Sequence, residues 1–249
     1  MRDTIDEGDA TLDVRIWRGG PTGGGYEAHA VPARANQTVL DVVAWVQQNA
    51  DSTLTYRYAC RVGMCGSCAM MVNGVPRWTC RTHIDKVSGN GVVEIGPLRN
   101  LPVLKDLATD MDPFFDKWVA AEAVHHPSRS RDDDVVPIDP ASAARVEANT
   151  GIECINCSIC YAACDTVAGN ADYLGPAALQ RAWTLWNDAK DAGGDAILDA
   201  VSGTGGCHNC HSQGSCAVHC PNDLNPMQAI AGLKRETMKR ALKGRNAQR

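Results

Sequence analysis

Apolar and polar residues alternate over positions 11–17 (TLDVRIW) and again over 26–31 (YEAHAV), with a glycine-rich stretch at 19–25 between them. A period of two on either side of a turn predicts a β-hairpin. The period then lengthens: Val39, Val43 and Val46 recur at helical spacing, and Leu40 and Trp45 widen the apolar stripe. Thr38 with Asp41 three residues on is a capping-box start for that helix. CAMMVNG reads as a strand ending in an Asn-Gly turn, and GVVEIG as a last strand. These elements describe a small mixed sheet with one helix and an irregular loop.

From residue 98 the texture changes. The stretch PLRNLPVLKDLATDMDPFFDKW has helical periodicity after its prolines. HHPSRSRDDDVVPIDP (125–140) is charged and contains prolines, which predicts a surface loop or linker with His125 and His126 solvated. Beyond it helices dominate. Pro176 is expected to begin one with Leu179, Trp183 and Trp186 on a single face, ended by Gly193–Gly194. Asn225–Pro226 supplies an N-cap and a proline at the first helical position, for a helix through about residue 243. The change of texture predicts two domains, 1–108 and 109–249, a division that suits 249 residues.

Hydrophobic residues make up 44% of the chain, enough for packed cores. With 24 basic against 29 acidic residues the net charge is −5, which argues against a nucleic-acid partner. No run of 18 apolar residues is present, so no membrane span is expected. The start, MRDTIDEGDATLDV, is acidic and polar and does not read as a signal peptide. The expected compartment is therefore cytoplasmic, where disulfides are rare. Twelve cysteines change the picture.

They fall in three groups of four: Cys60, Cys65, Cys68, Cys80; Cys154, Cys157, Cys160, Cys164; Cys207, Cys210, Cys216, Cys220. Disulfides suit small secreted chains, and zinc sites pair two C-x2-C knuckles across a spacer, whereas the middle group packs four thiols into C-x2-C-x2-C-x3-C. The first group reads C-x4-C-x2-C-x11-C, the plant-type spacing for a [2Fe–2S] cluster. Gly63 and Gly66 between its ligands allow the backbone to curl and aim N–H groups at sulfur.

The second and third groups together look like a bacterial two-cluster ferredoxin, in which the fourth cysteine of each run serves the other cluster. That pattern assigns Cys154, Cys157, Cys160 and Cys220 to a [4Fe–4S] cluster, with Pro221 following as the pattern requires. Counting the same spacing back from Cys220 puts ligands at 216, 213 and 210, but position 213 is Gln213. The remaining three, Cys164, Cys210 and Cys216, suit a [3Fe–4S] cluster, and Cys207 is left as a buried small hydrophobe or a rescuer of a fourth iron. The expected fold class is α+β: a plant-type ferredoxin (β-grasp) domain followed by a mostly helical two-cluster-ferredoxin-like domain.

The whole arrangement resembles the iron–sulfur subunit of succinate dehydrogenase and fumarate reductase. YRYACRVGMCGSCAMMVNG, GPLRNLPVLKDLATDMDPFF, CINCSICYAAC and CHSQGSCAVHCPNDLNPMQAI carry the resemblance over nearly the whole chain. It implies an electron wire without substrate chemistry or catalytic residues of its own. A FAD-containing flavoprotein subunit would oxidise succinate, and quinone at an integral-membrane anchor, haem-bearing in some relatives, would receive the electrons. The chain would then sit peripherally on the cytoplasmic face of the cell membrane. The resemblance also places His211 and Lys234 where the [3Fe–4S] cluster approaches quinone; an imidazole and a cation suit a quinone gaining negative charge and protons.

Two features depart from the family. Some relatives have Asp where this chain has Cys68, and ubiquinone-reducing relatives have Pro and a Trp pair where this chain has Asp165–Gly169, which favours menaquinone. Fumarate reduction in the reverse direction, or a soluble electron carrier for another dehydrogenase, are the alternatives. Against the carrier stands the basic end, since residues 234–249 hold seven Lys or Arg and one Glu, a charge suited to anionic lipid or an anchor face.

Overall fold

A computed structural model describes residues 10–89 and 91–247; most of the acidic start and the final two residues of the basic end lie outside the described residues. The chain forms two compact units. One runs through Met111 and takes in Ile155–Ala163; the other comprises Asp112–Cys154 and Cys164 onward.

In the first unit β1 (Thr11–Gly20) and β2 (Gly23–Pro32) pair antiparallel from Thr11↔Pro32 to Gly20↔Gly23. The glycines read as a turn are thus mostly strand, because ladder hydrogen bonds need only backbone; the turn itself shrinks to Pro21–Thr22. Helix α1 (Val39–Trp45) opens with the expected capping box. The Asp41 N–H donates to Thr38 Oγ1 at 3.2 Å, and the Thr38 N–H donates to Asp41 Oδ2 at 3.0 Å. It buries Val39, Leu40, Val42 and Val43 and runs on as a π-helical turn through Val46–Ala50.

Strands β3 (Ala69–Val72) and β4 (Val75–Trp78) form a hairpin through Asn73 and Gly74, at φ 49° and 75°. Strand β5 (Val92–Gly96) lies parallel to β1 and antiparallel to β3, giving the order β2-β1-β5-β3-β4. Val14, Ile16, Val43, Met70, Val72, Val93 and Ile95 pack between sheet and helix. This is a β-grasp. The helical reading of the stretch after residue 98 is corrected: β6 (Val103–Lys105) and β7 (Ala108–Thr109) form a small hairpin there. Asp106 sits at its tip, buried, at φ 50°. Its carboxylate accepts from the N–H groups of Gly19 (3.1 Å) and Thr55 (2.9 Å) and pairs with Arg18, tertiary bonds that outweigh a weak helical period.

The helix expected there is confined to α2 (Asp112–Ala120), and α3 (Ala143–Asn149) follows the charged stretch. His125 and His126 are half-exposed but not simply solvated. His125 Nδ1 and the His126 N–H both meet Asp191 Oδ2 at 2.9 Å, and His126 Nε2 meets Glu122 at 3.3 Å. The short α4 (Ile159–Ala162) belongs to the first unit, where Arg99 Nη2 and Asn100 Nδ2 donate to the Ala162 and Tyr161 carbonyls at 3.2 and 2.8 Å.

In the second unit α5 (Asp165–Gly169) leads to α6 (Gly175–Trp186). Leu179, Trp183 and Trp186 share a face of α6 as expected, the two indole rings stacked 5.3 Å apart, but burial extends round the helix, from Gly175 to Leu185 except Arg181. It ends at Trp186, ahead of the glycines, which instead open α7 (Gly194–Ser202), Gly193 standing at its N-cap. After α8 (Ser215–Val218) comes α9 (Pro226–Ala247), capped by Asn225, whose Oδ1 accepts from the Gln228 N–H at 3.2 Å. No helix among the described residues is long and apolar enough to cross a membrane. Much of the basic charge of α9 is tied internally: Lys239 pairs with Glu236 at 2.8 Å and Arg240 with Asp199 at 3.1 Å.

Candidate metal centres

The first site is built by a loop without regular structure, closed by a strand hairpin. Cys60, Cys65 and Cys68 precede β3, and Cys80 follows β4. The Val62 and Met64 N–H groups point at Cys60 Sγ (3.4 and 3.3 Å), and the Cys60 N–H points at Cys65 Sγ (3.5 Å). Backbone donors converging on sulfur stabilise negative charge there, so the donor set fits an anionic iron–sulfur group. Hydrogen bonds from Ser67 and from the Cys60 N–H bring the Cys65 thiol down to about 6, although burial opposes them. Burial and the neighbouring Cys68 push Cys80 up to about 11.

Cys68 and Cys80 are buried against Leu40 of α1, with Tyr56 and Trp78 beside them. Thr79 holds Cys68 in place, its hydroxyl donating to the Cys68 carbonyl at 2.7 Å. Gly66 stands at φ +71°, and a Cβ there would lie 2.6 Å from Cys157 Cβ. Only glycine serves that position.

Of the second set, Cys157 packs on Gly66, and the next residue, Ser158, is buried in the left-handed region at φ 57° with its hydroxyl donating to the Cys157 carbonyl at 2.7 Å. Asn222 Nδ2 donates to the Glu153 carbonyl at 2.7 Å, which ties the residues flanking Cys220 and Cys154 together. This contact joins positions far apart in the chain that the two-cluster pattern pairs.

The third set is assembled wholly from the second unit. A small space of about 20 Å³ is walled by Cys164, Cys210 and Cys216 together with Tyr173, His211 and Gln213. Three thiols facing one space are the donor set that an iron–sulfur group takes. Cys216 is pushed up to about 11 by burial first and then by Cys164 and Cys210. The Ser212 N–H points at Cys210 Sγ at 3.4 Å. Cys207 does not line the space; it is fully buried, its sulfur 4.0 Å from Thr237 Oγ1. His211 is exposed at the wall, and Lys234 Nζ donates to the Cys210 carbonyl at 2.6 Å. Tyr173 escaped the sequence reading. No spacing marks it, for it stands nine residues after Cys164, in the connection between α5 and α6, and reaches the wall only in the folded chain.

Comparison with known proteins agrees with this geometry. Residues 13–116 match a 2Fe-2S iron-sulfur cluster binding domain, and residues 153–225 a 4Fe-4S dicluster domain. The chain is 32% identical over 220 residues to a fumarate reductase iron-sulfur subunit of Mycobacterium tuberculosis (strain CDC 1551 / Oshkosh), covering 88% of each. It is 34% identical over 212 residues to that of Escherichia coli O157:H7, covering 85% of each. A succinate dehydrogenase iron-sulfur subunit of Paracoccus denitrificans is 33% identical over 200 residues, covering 79% of this chain and 74% of that one. Among solved structures, a chain of the Mycobacterium smegmatis Sdh1 complex in the apo form superposes with a TM-score of 0.81 at 25% identity, over 93% of this chain and 97% of that chain.

Proposed function

The chain belongs to the iron–sulfur subunits of fumarate reductases and succinate dehydrogenases, and from that membership we propose that it relays electrons between a FAD-bearing flavoprotein subunit and quinone at an integral-membrane anchor, through a [2Fe–2S], a [4Fe–4S] and a [3Fe–4S] centre. Its part in the oxidoreductase is electron transfer alone. One observation carries the finer reading: three thiols, Cys164, Cys210 and Cys216, wall one space, with Gln213 where the two-cluster spacing would put a fourth. When bound, the clusters supply one-electron relay sites.

The ligand sets are Cys60, Cys65, Cys68 and Cys80 for the first centre, Cys154, Cys157, Cys160 and Cys220 for the second, and Cys164, Cys210 and Cys216 for the third. The protein's own work is to hold these thiolates, to aim N–H groups at their sulfurs, and to exclude water from Cys68, Cys80 and Cys216, all of which are buried. The division into a ferredoxin domain over 1–108 and a cluster-bearing helical domain over 109–249 belongs to the same reading. So does a peripheral position on the cytoplasmic face of the membrane, held by the partner subunits.

At the exit, His211 and Lys234 are the quinone-side residues. The exposed imidazole at the third site's wall supports this assignment, and so does an ammonium anchored on the Cys210 carbonyl. Negative charge developing on a quinone oxygen would be stabilised by both. The absence of the Pro and paired Trp after Cys164 favours menaquinone as acceptor. Succinate oxidation is the direction read here; relatives named fumarate reductase support the reverse as the second reading.

The test uses the assembled complex. It should yield spin signals for three centres and about nine irons per copy of this chain, and it should reduce quinone with succinate faster than it reduces fumarate with quinol. His211→Ala or Lys234→Ala should lower quinone reduction at least about tenfold, roughly one lost charge-assisted hydrogen bond, and spare an artificial dye that accepts electrons at the flavin. Equal quinone rates with clusters intact remove both residues from the exit, and about ten irons without an oxidised [3Fe–4S] signal refutes the third assignment.

A further inference from the structure

Helix α1 turns Val39, Leu40, Val42 and Val43 into the core and leaves its other face outward. On that face stands the small Ala44, and beside it a cavity of about 340 Å³ is lined by Arg34, Gln37, Asp41, Trp45 and Arg61. The volume is that of a small-molecule site. No cysteine lines it.

The side chains around this cavity have donors to spare and few acceptors. Gln37 is only 8% exposed. Its Oε1 accepts from the Arg34 N–H at 3.2 Å, and its Nε2 has no hydrogen-bond partner among the described residues. Trp45 Nε1 is buried, again without a partner among the described residues. The carboxylate that lines the cavity, Asp41, is already satisfied. Its Oδ2 accepts from the Thr38 N–H and hydroxyl at 3.0 and 2.7 Å, and its Oδ1 accepts from Arg61 Nη2 at 2.8 Å. That bond holds the Arg61 guanidinium in place, with its carbon 5.6 Å from the Tyr58 ring centre. Arg34 brings a second cation. Two guanidinium groups, an amide and an indole N–H around one satisfied carboxylate call for a ligand rich in acceptors and negatively charged.

We propose that this cavity binds a small free oxyanion, a phosphate or a dicarboxylate, through Gln37 Nε2, Trp45 Nε1 and the charges of Arg34 and Arg61. Both ligands share what these donors select, several negatively charged oxygens on a compact frame. A single carboxylate on a protein side chain would fill only part of the space. The site is separate from the electron relay and holds whatever clusters the cysteines carry.

The experiment is calorimetric titration of the purified full chain with inorganic phosphate and, separately, with malonate. At least one should bind saturably at one site per chain, and the tighter of the two identifies the class. Gln37→Glu keeps the acceptor for the Arg34 N–H but replaces the amide donor by a negative charge, so affinity should fall at least about tenfold. Trp45→Phe keeps an aromatic ring and removes the indole N–H; it should weaken binding about threefold or more, and it decides alone if the Gln37 variant does not fold. Absence of saturable binding to the parent overturns the proposal. So does binding that a folded variant, with the parental thermal midpoint, leaves unweakened. The difference between parent and Trp45→Phe should persist when the assembled complex is titrated with the tighter anion. Its loss on assembly overturns the proposal in favour of an acidic side chain of a partner subunit.

Discussion

The first and third cysteine sites solve one problem in opposite ways. At the first, three thiols lie within nine residues of a single loop, and the loop's own N–H groups supply the hydrogen bonds to Cys60 and Cys65. At the third, Cys164 comes from one segment and Cys210 and Cys216 from another far along the chain, and Tyr173 on the same wall comes from yet another stretch. The first site needs a loop of the right conformation; the third needs segments remote in the chain, with α6 and α8 packed on α9, before its cysteines meet. Their stabilities should therefore answer to different substitutions.

The sharpest break is Gly205→Ala. A Cβ at Gly205 would overlap the Asp172 carbonyl directly beside Tyr173. Overpacking of this kind costs about 3 kcal/mol. The [3Fe–4S] signal should be lost or sharply reduced and the [2Fe–2S] signal retained, as spin spectroscopy on the purified complex will read; equal loss of both would mean that the third site is not separable from the first. Gly66→Ala is the converse. Its left-handed backbone at φ +71° costs a side chain about 1–2 kcal/mol, and the new Cβ would also press on Cys157. Here the [2Fe–2S] signal should weaken while the third persists, and an unaltered [2Fe–2S] spectrum would contradict the local account of that loop.

The smallest effect sharpens the comparison from outside the clusters. Burial pushes the Asp41 carboxyl up, but hydrogen bonds from the Thr38 hydroxyl and N–H, with Arg61 nearby, outweigh it and leave the group below its ordinary value. A depressed carboxylate contributes stability that is complete above the unfolded value of 3.8 and lost as pH falls through the folded value. Acid denaturation of the Asp41→Asn variant should lack that component, and Thr38→Ala should cost about 1 kcal/mol at neutral pH. Both belong to the helix that backs Cys68 and Cys80, so the third site's signal should not respond.

What could be read before the structure follows the same line. The capping box, the Asn-Gly hairpin, the parallel-strand segment GVVEIG and the Asn225 cap were legible because each is decided within a few residues. The plant-type loop was legible for the same reason. Residues 103–109 were misread as helical, since Asp106 is committed to Gly19 and Thr55 by bonds that no local pattern reveals. The shared face of Leu179, Trp183 and Trp186 was legible, but not the burial of nearly all of α6, because periodicity shows which side is most apolar and not how many neighbours surround a helix.

The sequence by itself carries three groups of four cysteines, their spacings, and Gln213 where the two-cluster spacing calls for a cysteine. Only the tertiary structure decided the surroundings of those cysteines. It buried Cys207 away from the third space, set Lys234 on the Cys210 carbonyl and brought Tyr173 to the wall of that space. The physical reason is range. A ligand loop is fixed by short-range backbone geometry, whereas the partner of a buried polar group is chosen by packing between segments that are remote in the chain.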